Sequence, residues 1–212
     1  SEALMEQRTD EWFNARLGSV TASRVADVLA KTKSGPSASR ANYLAELICE
    51  RLTGERSGGF NSAAMQWGTD QEPQARMAYE LVTGLTVEET GFVPHPTIKW
   101  FGASPDGLVG SDGLIEIKCP NTATHIDYLL RDAVPMKYIY QMQTQMICTG
   151  RKWCDFVSFD PRLSANLQLF IKRVDHRELR QNEIEIEVSL MLAELEITLK
   201  ALEQIGDEND KT

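Results

Sequence analysis

Residues 110 to 119 read GSDGLIEIKC, and no other run of comparable length constrains the fold as tightly. Gly110-Ser111-Asp112-Gly113 is a strong reversing sequence, because glycine tolerates left-handed backbone while aspartate and serine bond back to nearby N–H groups. Successive side chains of a strand point to opposite faces, so Ile115, Ile117 and Cys119 share one face while Glu116 and Lys118 share the other. The apolar set can anchor the strand in a core as the acid and the amine project together. A hairpin centred near Ser111 also brings Asp106 across from Glu116, where directly opposed residues stand about 5 Å apart at Cβ.

Two carboxylates that close repel unless a cation lies between them, and the hard divalent ion that carboxylate and carbonyl oxygens favour is Mg²⁺ or Mn²⁺. A lysine on the same face can touch a metal-bound water or a developing phosphoryl charge, and while protonated it cannot itself be a ligand. This is equipment for metal-assisted attack of water on a phosphodiester. The competing reading is a surface hairpin with an ordinary Glu–Lys pair, common on exposed strand faces. Against it, Ser104-Pro105-Asp106-Gly107, the turn and the strand arrive as one unit, and no second E-x-K or D-x-K occurs in the chain.

The rest of the chain predicts helices over about 10–17, 21–31, 43–52 and 63–83, with glycine stops at Gly18, Gly54 and Gly84 and a loop at Gly58-Gly59-Phe60-Asn61-Ser62. Strands are expected over 87–93, 98–103, 114–119, 153–159 and 167–174. Helices follow from near Thr124 and from Pro135 through Cys148. The last helix carries Val188, Leu192, Leu195, Leu199 and Leu202 as an apolar seam of heptad period, most simply packed on its own core, and the acidic end Gly206 to Asp210 is expected to fray. The class is therefore α/β, a central mixed sheet flanked by helices. One domain spans 1–212: a helical part over about 9–84, a sheet core over about 87–174 and a C-terminal helix over about 176–205.

No run approaches the roughly 18 consecutive apolar residues that span a bilayer, and the start lacks the basic-then-apolar pattern of a signal peptide, so a cytoplasmic protein without membrane contact is expected. Cys49, Cys119, Cys148 and Cys154 lack zinc-site spacing and read as reduced core thiols. His95, His125 and His176 are too scattered for a catalytic pair. With 22 basic and 31 acidic residues the net charge is −9, the wrong sign for a simple nucleic-acid binder. A DNA-binding role requires basic residues focused locally or metal ions.

S-P-D-G followed by E-I-K-C-P resembles the catalytic core of the phage lambda exonuclease family, the YqaJ-like viral recombinases of the PD-(D/E)xK nuclease superfamily. Arg16-Leu17-Gly18-Ser19-Val20-Thr21-Ala22-Ser23, Gln66-Trp67-Gly68 with Glu72, and Tyr138 with Gln141-Met142-Gln143 resemble the family's other blocks, in order. The resemblance covers about residues 10–159 and implies a restriction-endonuclease-like core. It also implies a processive Mg²⁺-dependent exonuclease, with two ions per site, that degrades the 5′ strand of linear duplex DNA. Such an enzyme releases 5′-mononucleotides and leaves a 3′ overhang for a single-strand annealing protein. By the same resemblance, Asp106, Glu116 and the main-chain carbonyl of Ile117 hold metal and Lys118 orients or activates water. Glu72 is the additional acid, and Gln141 borders the centre with Tyr138 beside it.

A pocket for the 5′-phosphate is implied at Arg16, Thr21, Ser23 and Ser104, with Met65 at the place of a strand-separating residue. Read alone, Thr21 or Ser23 caps a helix and Arg16 pairs with an acid. The family's ring-shaped homotrimer, threaded by DNA, accommodates an acidic chain if basic residues line the channel. An endonuclease of restriction or repair type, or a non-catalytic DNA-end clamp, are the alternatives. An intact Asp106/Glu116/Lys118 set argues against the clamp, and Arg16 with the Gln66 block argues against the endonuclease.

Overall fold

The strand that the sequence marks most clearly lies at the centre of the molecule. In the computed structural model, which describes residues 6–57, 61–178 and 180–211, the larger sheet has five strands in the order β10-β9-β8-β7-β4. These are β4 (Val87–Glu88), β7 (Gly107–Val109), β8 (Gly113–Lys118), β9 (Trp153–Phe159) and β10 (Leu169–Asp175). Within this sheet only β8 and β9 pair in parallel, and parallel neighbours need a crossover. Two helices supply it, α5 (Thr122–Arg131) and α6 (Met136–Thr149). A smaller sheet, β1 (Val20–Thr21), β6 (Phe101–Ala103) and β5 (Val93–Pro94), leads into the strand loop that carries Asp106. The short strands β2 (Lys31–Thr32) and β3 (Gly35–Pro36) form a separate hairpin.

Both faces of the larger sheet are covered. On one, Ala75 and Tyr79 of α4 (Ala63–Thr83) pack against Ile115, Ile117, Cys119 and Val157. On the other, Met142 and Met146 of α6 pack against Leu114, Cys154 and Phe156. A third cluster joins α2 (Val25–Leu29), α3 (Ala38–Thr53) and α7 (Gln181–Asn209). The first helix, α1 (Asp10–Arg16), is capped by Thr9, whose hydroxyl accepts from the Trp12 N–H at 3.3 Å.

The mixed α/β class agrees with the sequence reading, and α4 has the bounds expected of it. Several elements differ. The segment expected as one helix over 21–31 is a three-residue 3-10 turn followed by five residues of α2, because Lys31–Thr32 turn back onto Gly35–Pro36. Helix α3 begins at Ala38 rather than Tyr43 because the Ser37 hydroxyl caps it, accepting from Arg40 N. The expected strand 87–93 is two strands in different sheets, Val87–Glu88 on β7 and Val93–Pro94 on β6. The N-terminal part is not wholly helical, since β1 pairs in parallel with β6. Residues 58–60 of the expected loop lie outside the described residues.

On α7 the buried stripe is Ile184, Val188, Met191, Leu195 and Leu199, with Leu192 at its margin and Leu202 39 % exposed. It follows the 3.6-residue period of a straight helix packed on its own domain rather than a 3.5-residue supercoil. The helix starts at Gln181, after a 3-10 turn at His176–Glu178, and continues to Asn209 through the stretch expected to fray. All four cysteines are free, but Cys49 is exposed on the outer face of α3 and is no core thiol.

Candidate active site

The β7–β8 hairpin pairs Gly107 with Ile115, Leu108 with Leu114 and Val109 with Gly113. The same register carried one step outward sets Asp106 opposite Glu116, as the turn at Ser111 predicts. Asp106 Oδ2 accepts from the Ile117 N–H at 2.7 Å, which ties the acid to the strand it faces. The Glu116 side chain turns toward α6, away from the apolar face formed by Ile115, Ile117 and Cys119. Its Oε1 accepts from Gln141 Nε2 at 3.0 Å and lies 2.9 Å from Lys118 Nζ, while its Oε2 accepts from Gln145 Nε2 at 2.7 Å. The Lys118 ammonium also stands 4.6 Å from the centre of the Tyr138 ring, which stacks on Phe156.

Burial, then the negative charges of Glu116 and Glu72, raise Asp106 well above the usual carboxylate range, against the pull of Lys118 and the Ile117 N–H. Burial works to lower Lys118, but Glu116 and Asp106 outweigh it and hold the ammonium firmly protonated. The Cys119 thiol is pushed up to about 12 by burial and by Glu72, Asp106 and Asp160. Three neighbours thus register the same excess of negative charge, and a hard cation relieves it. Asp106 and Glu116 carboxylates beside the Ile117 main chain are an oxygen donor set that suits such an ion. Among the described residues no three His, Cys, Asp or Glu side chains stand close enough to hold a metal by themselves. Glu72 faces the same cleft but is engaged by Arg8 at 2.8 Å and Arg76 at 3.6 Å.

An acid whose pKa is higher in the folded than in the unfolded chain binds its proton more tightly when folded. The metal-free protein therefore loses stability as pH rises from the ordinary carboxylate value through the raised Asp106 value. Asp106→Asn keeps an acceptor for the Ile117 N–H and removes the charge. It is expected to raise the melting temperature in EDTA at pH 8 by about 2–4 °C and to flatten the decline with pH. An unchanged or lower melting temperature would contradict the electrostatics.

A cleft of about 1010 Å³ extends from these residues to α1. There Ser104 Oγ accepts from Arg16 Nη1 at 2.7 Å and from Trp12 Nε1 at 3.1 Å, so its own proton remains to be donated. The Arg16 guanidinium lies 4.1 Å over the Trp12 ring and, among the described residues, has no carboxylate at ion-pair distance. Burial lowers its proton affinity, with Tyr43 and Glu50 opposing. The simple expectation that Arg16 pairs with an acid is thus not met.

Ser23 is exposed on the cleft wall, whereas Thr21 is buried behind it, its N–H donating to Tyr43 Oη at 3.2 Å. Neither hydroxyl makes the expected cap, and the structure does not bring Thr21 to the cleft surface. Met65 lines the cleft and is 58 % exposed, not core. Arg8, Arg16, Arg56 and Lys118 line the cleft together with Glu72, Asp106 and Glu116; Arg8 and Lys118 are ion-paired with Glu72 and Glu116, which keeps the lining from sharing the strong negative balance of the whole chain.

Sequence reasoning missed Gln145, the aromatic seat that Trp12 gives Arg16, and Arg56, which lies 3.7 Å over Phe13. The signal for Gln145 was present: Gln141 and Gln145, four apart, share one helix face in the run QMQTQM of α6.

Residues 11–152 match the family described as the YqaJ-like viral recombinase domain. The chain is similar to LHK-Exo, an alkaline exonuclease from Laribacter hongkongensis. The crystal structure of LHK-Exo in complex with dAMP has a TM-score of 0.89 at 56% identity, over 94% of this chain and 99% of that one. A second LHK-Exo structure gives 0.87 at the same identity and coverage. A phage-related exonuclease from Haemophilus somnus, 16% identical with a TM-score of 0.68 over 91% of this chain and 98% of its own, shares the fold. An uncharacterized protein of Acanthamoeba polyphaga mimivirus is 25% identical over 168 residues, 72% of this chain but 29% of that protein. The chain thus spans under a third of the length of that curated relative.

Proposed function

Because the chain belongs to the YqaJ-like viral recombinase domain family, we propose that it is a DNA exonuclease that hydrolyses the 5′ strand of linear duplex DNA. It releases 5′-mononucleotides and leaves a 3′ overhang. The observation that carries this reading is the continuity of one cleft from the unpaired Arg16 to the Asp106/Glu116/Lys118 set. A terminal phosphate at one end and a scissile phosphodiester at the other require such a path. LHK-Exo, 56% identical, was crystallised with dAMP, a deoxynucleoside monophosphate of the kind that stepwise hydrolysis releases.

Asp106, Glu116 and the carbonyl of Ile117 would hold the divalent ion, Mg²⁺ or Mn²⁺, with Glu72 available to a second ion if Arg8 yields it. The bound ions supply an activated water and neutralise charge on the reacting phosphate. The protein's share is positional. Ile117 N–H fixes Asp106, two glutamines fix Glu116, and the Lys118 ammonium stabilises developing negative charge at a point set by Glu116 and Tyr138. Arg16 and the Ser104 hydroxyl grip the 5′-phosphate in a bidentate, charge-assisted manner.

Linear duplex labelled at either 5′ or 3′ ends is expected to lose the 5′ label first, as mononucleotide, in Mg²⁺ and not in EDTA. Covalently closed circles should remain intact, and rapid nicking of them would replace this reading with an endonuclease.

A ring-shaped homotrimer would let an acidic chain track DNA. Apolar residues left exposed on α4 (Met77, Leu81, Val82) and α7 (Ile186, Leu190, Ile197) support association. Light scattering should give three chain masses. A single-strand annealing protein would receive the overhang, in the cytoplasm of a phage-bearing host. Among the described residues no helix is long and apolar enough to cross a membrane.

A further inference from the structure

We propose that Gln145, held by the thiol of Cys154, is a positioning residue that sets the Glu116 carboxylate for metal binding; this rests on the metal-site reading above. Glu116 and Gln145 are 2 % and 0 % exposed, so neither has water to fall back on, and a buried acceptor or donor left unpaired is costly. The carboxylate only accepts hydrogen bonds, and each of its oxygens takes one amide, Gln141 on Oε1 and Gln145 on Oε2. Rotation of the carboxylate about its last torsion breaks both bonds at once. Without Gln145 the remaining contacts, from Gln141 and Lys118, both fall on Oε1, and nothing would hold Oε2 in place.

Gln145 must therefore present its NH₂ group, not its carbonyl, to Glu116. Its other end explains how that orientation is kept. Cys154 Sγ lies 3.6 Å from Gln145 Oε1 as its donor, and the thiol is fully buried. A flipped amide would set carbonyl against carboxylate and NH₂ against a weak sulfur acceptor, and so lose at both ends. Leu114 on β8 is the register partner of Cys154 on β9, two positions from Glu116. Gln145 thus bridges α6 to both parallel strands, with Met142 and Met146 of the same helix packed on either side. A side-chain amide this deeply buried has no solvent to serve, and the partners it meets are the thiol and the acid.

Groups that orient a metal ligand typically change metal affinity by about 10- to 100-fold when removed. The test is Mn²⁺ binding to the DNA-free protein, read from the free-Mn²⁺ EPR signal, together with melting temperature and the Mn²⁺ dependence of the exonuclease rate. Gln145→Met is expected to weaken Mn²⁺ binding about tenfold and to regain most of its rate at saturating Mn²⁺. Cys154→Ala should weaken it about threefold, and Cys154→Ser, which keeps a donor, should recover most of that loss.

A Gln145→Met protein that melts lower but binds Mn²⁺ within twofold of the parent would show a merely structural residue and overturn the proposal. Cys154→Ala binding like the parent would remove the thiol from it. Glu116→Gln separates the two levels of reading. If the parent binds Mn²⁺ and Glu116→Gln does not, the metal site stands and the Gln145 result decides the inference. If Glu116→Gln binds as the parent does, or the parent binds none, the metal-site reading fails and the inference with it.

Discussion

Lys118→Ala is expected to slow hydrolysis of linear duplex by at least about a thousandfold while the protein still binds duplex ends. The effect follows from where the ammonium is held. Glu116 Oε1 at 2.9 Å and the Tyr138 ring at 4.6 Å fix it from two directions, and in the metal-free protein the surrounding carboxylates raise its proton affinity. An ammonium held there orients a water and stabilises negative charge. Lys118→Met, which keeps the stem against Tyr138, should fail as severely as alanine. Both variants should bind Mn²⁺ at least as well as the parent, since a competing cation has been removed from Glu116. Single-turnover digestion of end-labelled duplex, run beside gel shift with the same DNA, separates chemistry from binding. Normal cleavage by either variant would sink the role given to Lys118.

How far the site could be read in advance follows from the range of the interactions involved. The Asp106–Glu116 juxtaposition was legible because a two-sided strand and a four-residue turn fix register locally, over ten residues. Glycine-stopped α4 and the Trp153–Phe159 strand were legible for the same reason. The splitting of 87–93 between two sheets was not, because Val87 and Val93 carry the same propensity and only their partners, Val109 and Ala103, assign them. Gln145 lay in the mixed run QMQTQM with two other glutamines and carried no mark of its own. Its meaning depends on Glu116, twenty-nine residues away, and on a thiol from the next strand. Arg16 was legible as a cation but not as one with no carboxylate at ion-pair distance among the described residues, since that depends on where the fold sets the acids.

That unpaired state is what gives Arg16→Ala its expected effect, the loss of preference for 5′-phosphorylated over 5′-hydroxyl ends. A guanidinium desolvated without a carboxylate at ion-pair distance is a standing cost to the fold. An arriving phosphate dianion offsets it through short, charge-assisted bonds. Hydrogen bonds to charged groups contribute about 1.5–3 kcal/mol each, so the ratio of rates on the two kinds of end should fall by about 10- to 100-fold. Trp12 holds the guanidinium flat from below and shares Ser104 Oγ with it, which favours a planar fork over a point charge. Arg16→Lys is therefore expected to recover only a small part of the preference, and Ser104→Ala to lose a smaller part than Arg16→Ala. The rates on 5′-hydroxyl ends should barely change in any of these variants, because that end offers nothing for the pocket to hold. An Arg16→Ala protein that kept the parental ratio, or that slowed equally on both ends, would place the phosphate elsewhere in the cleft.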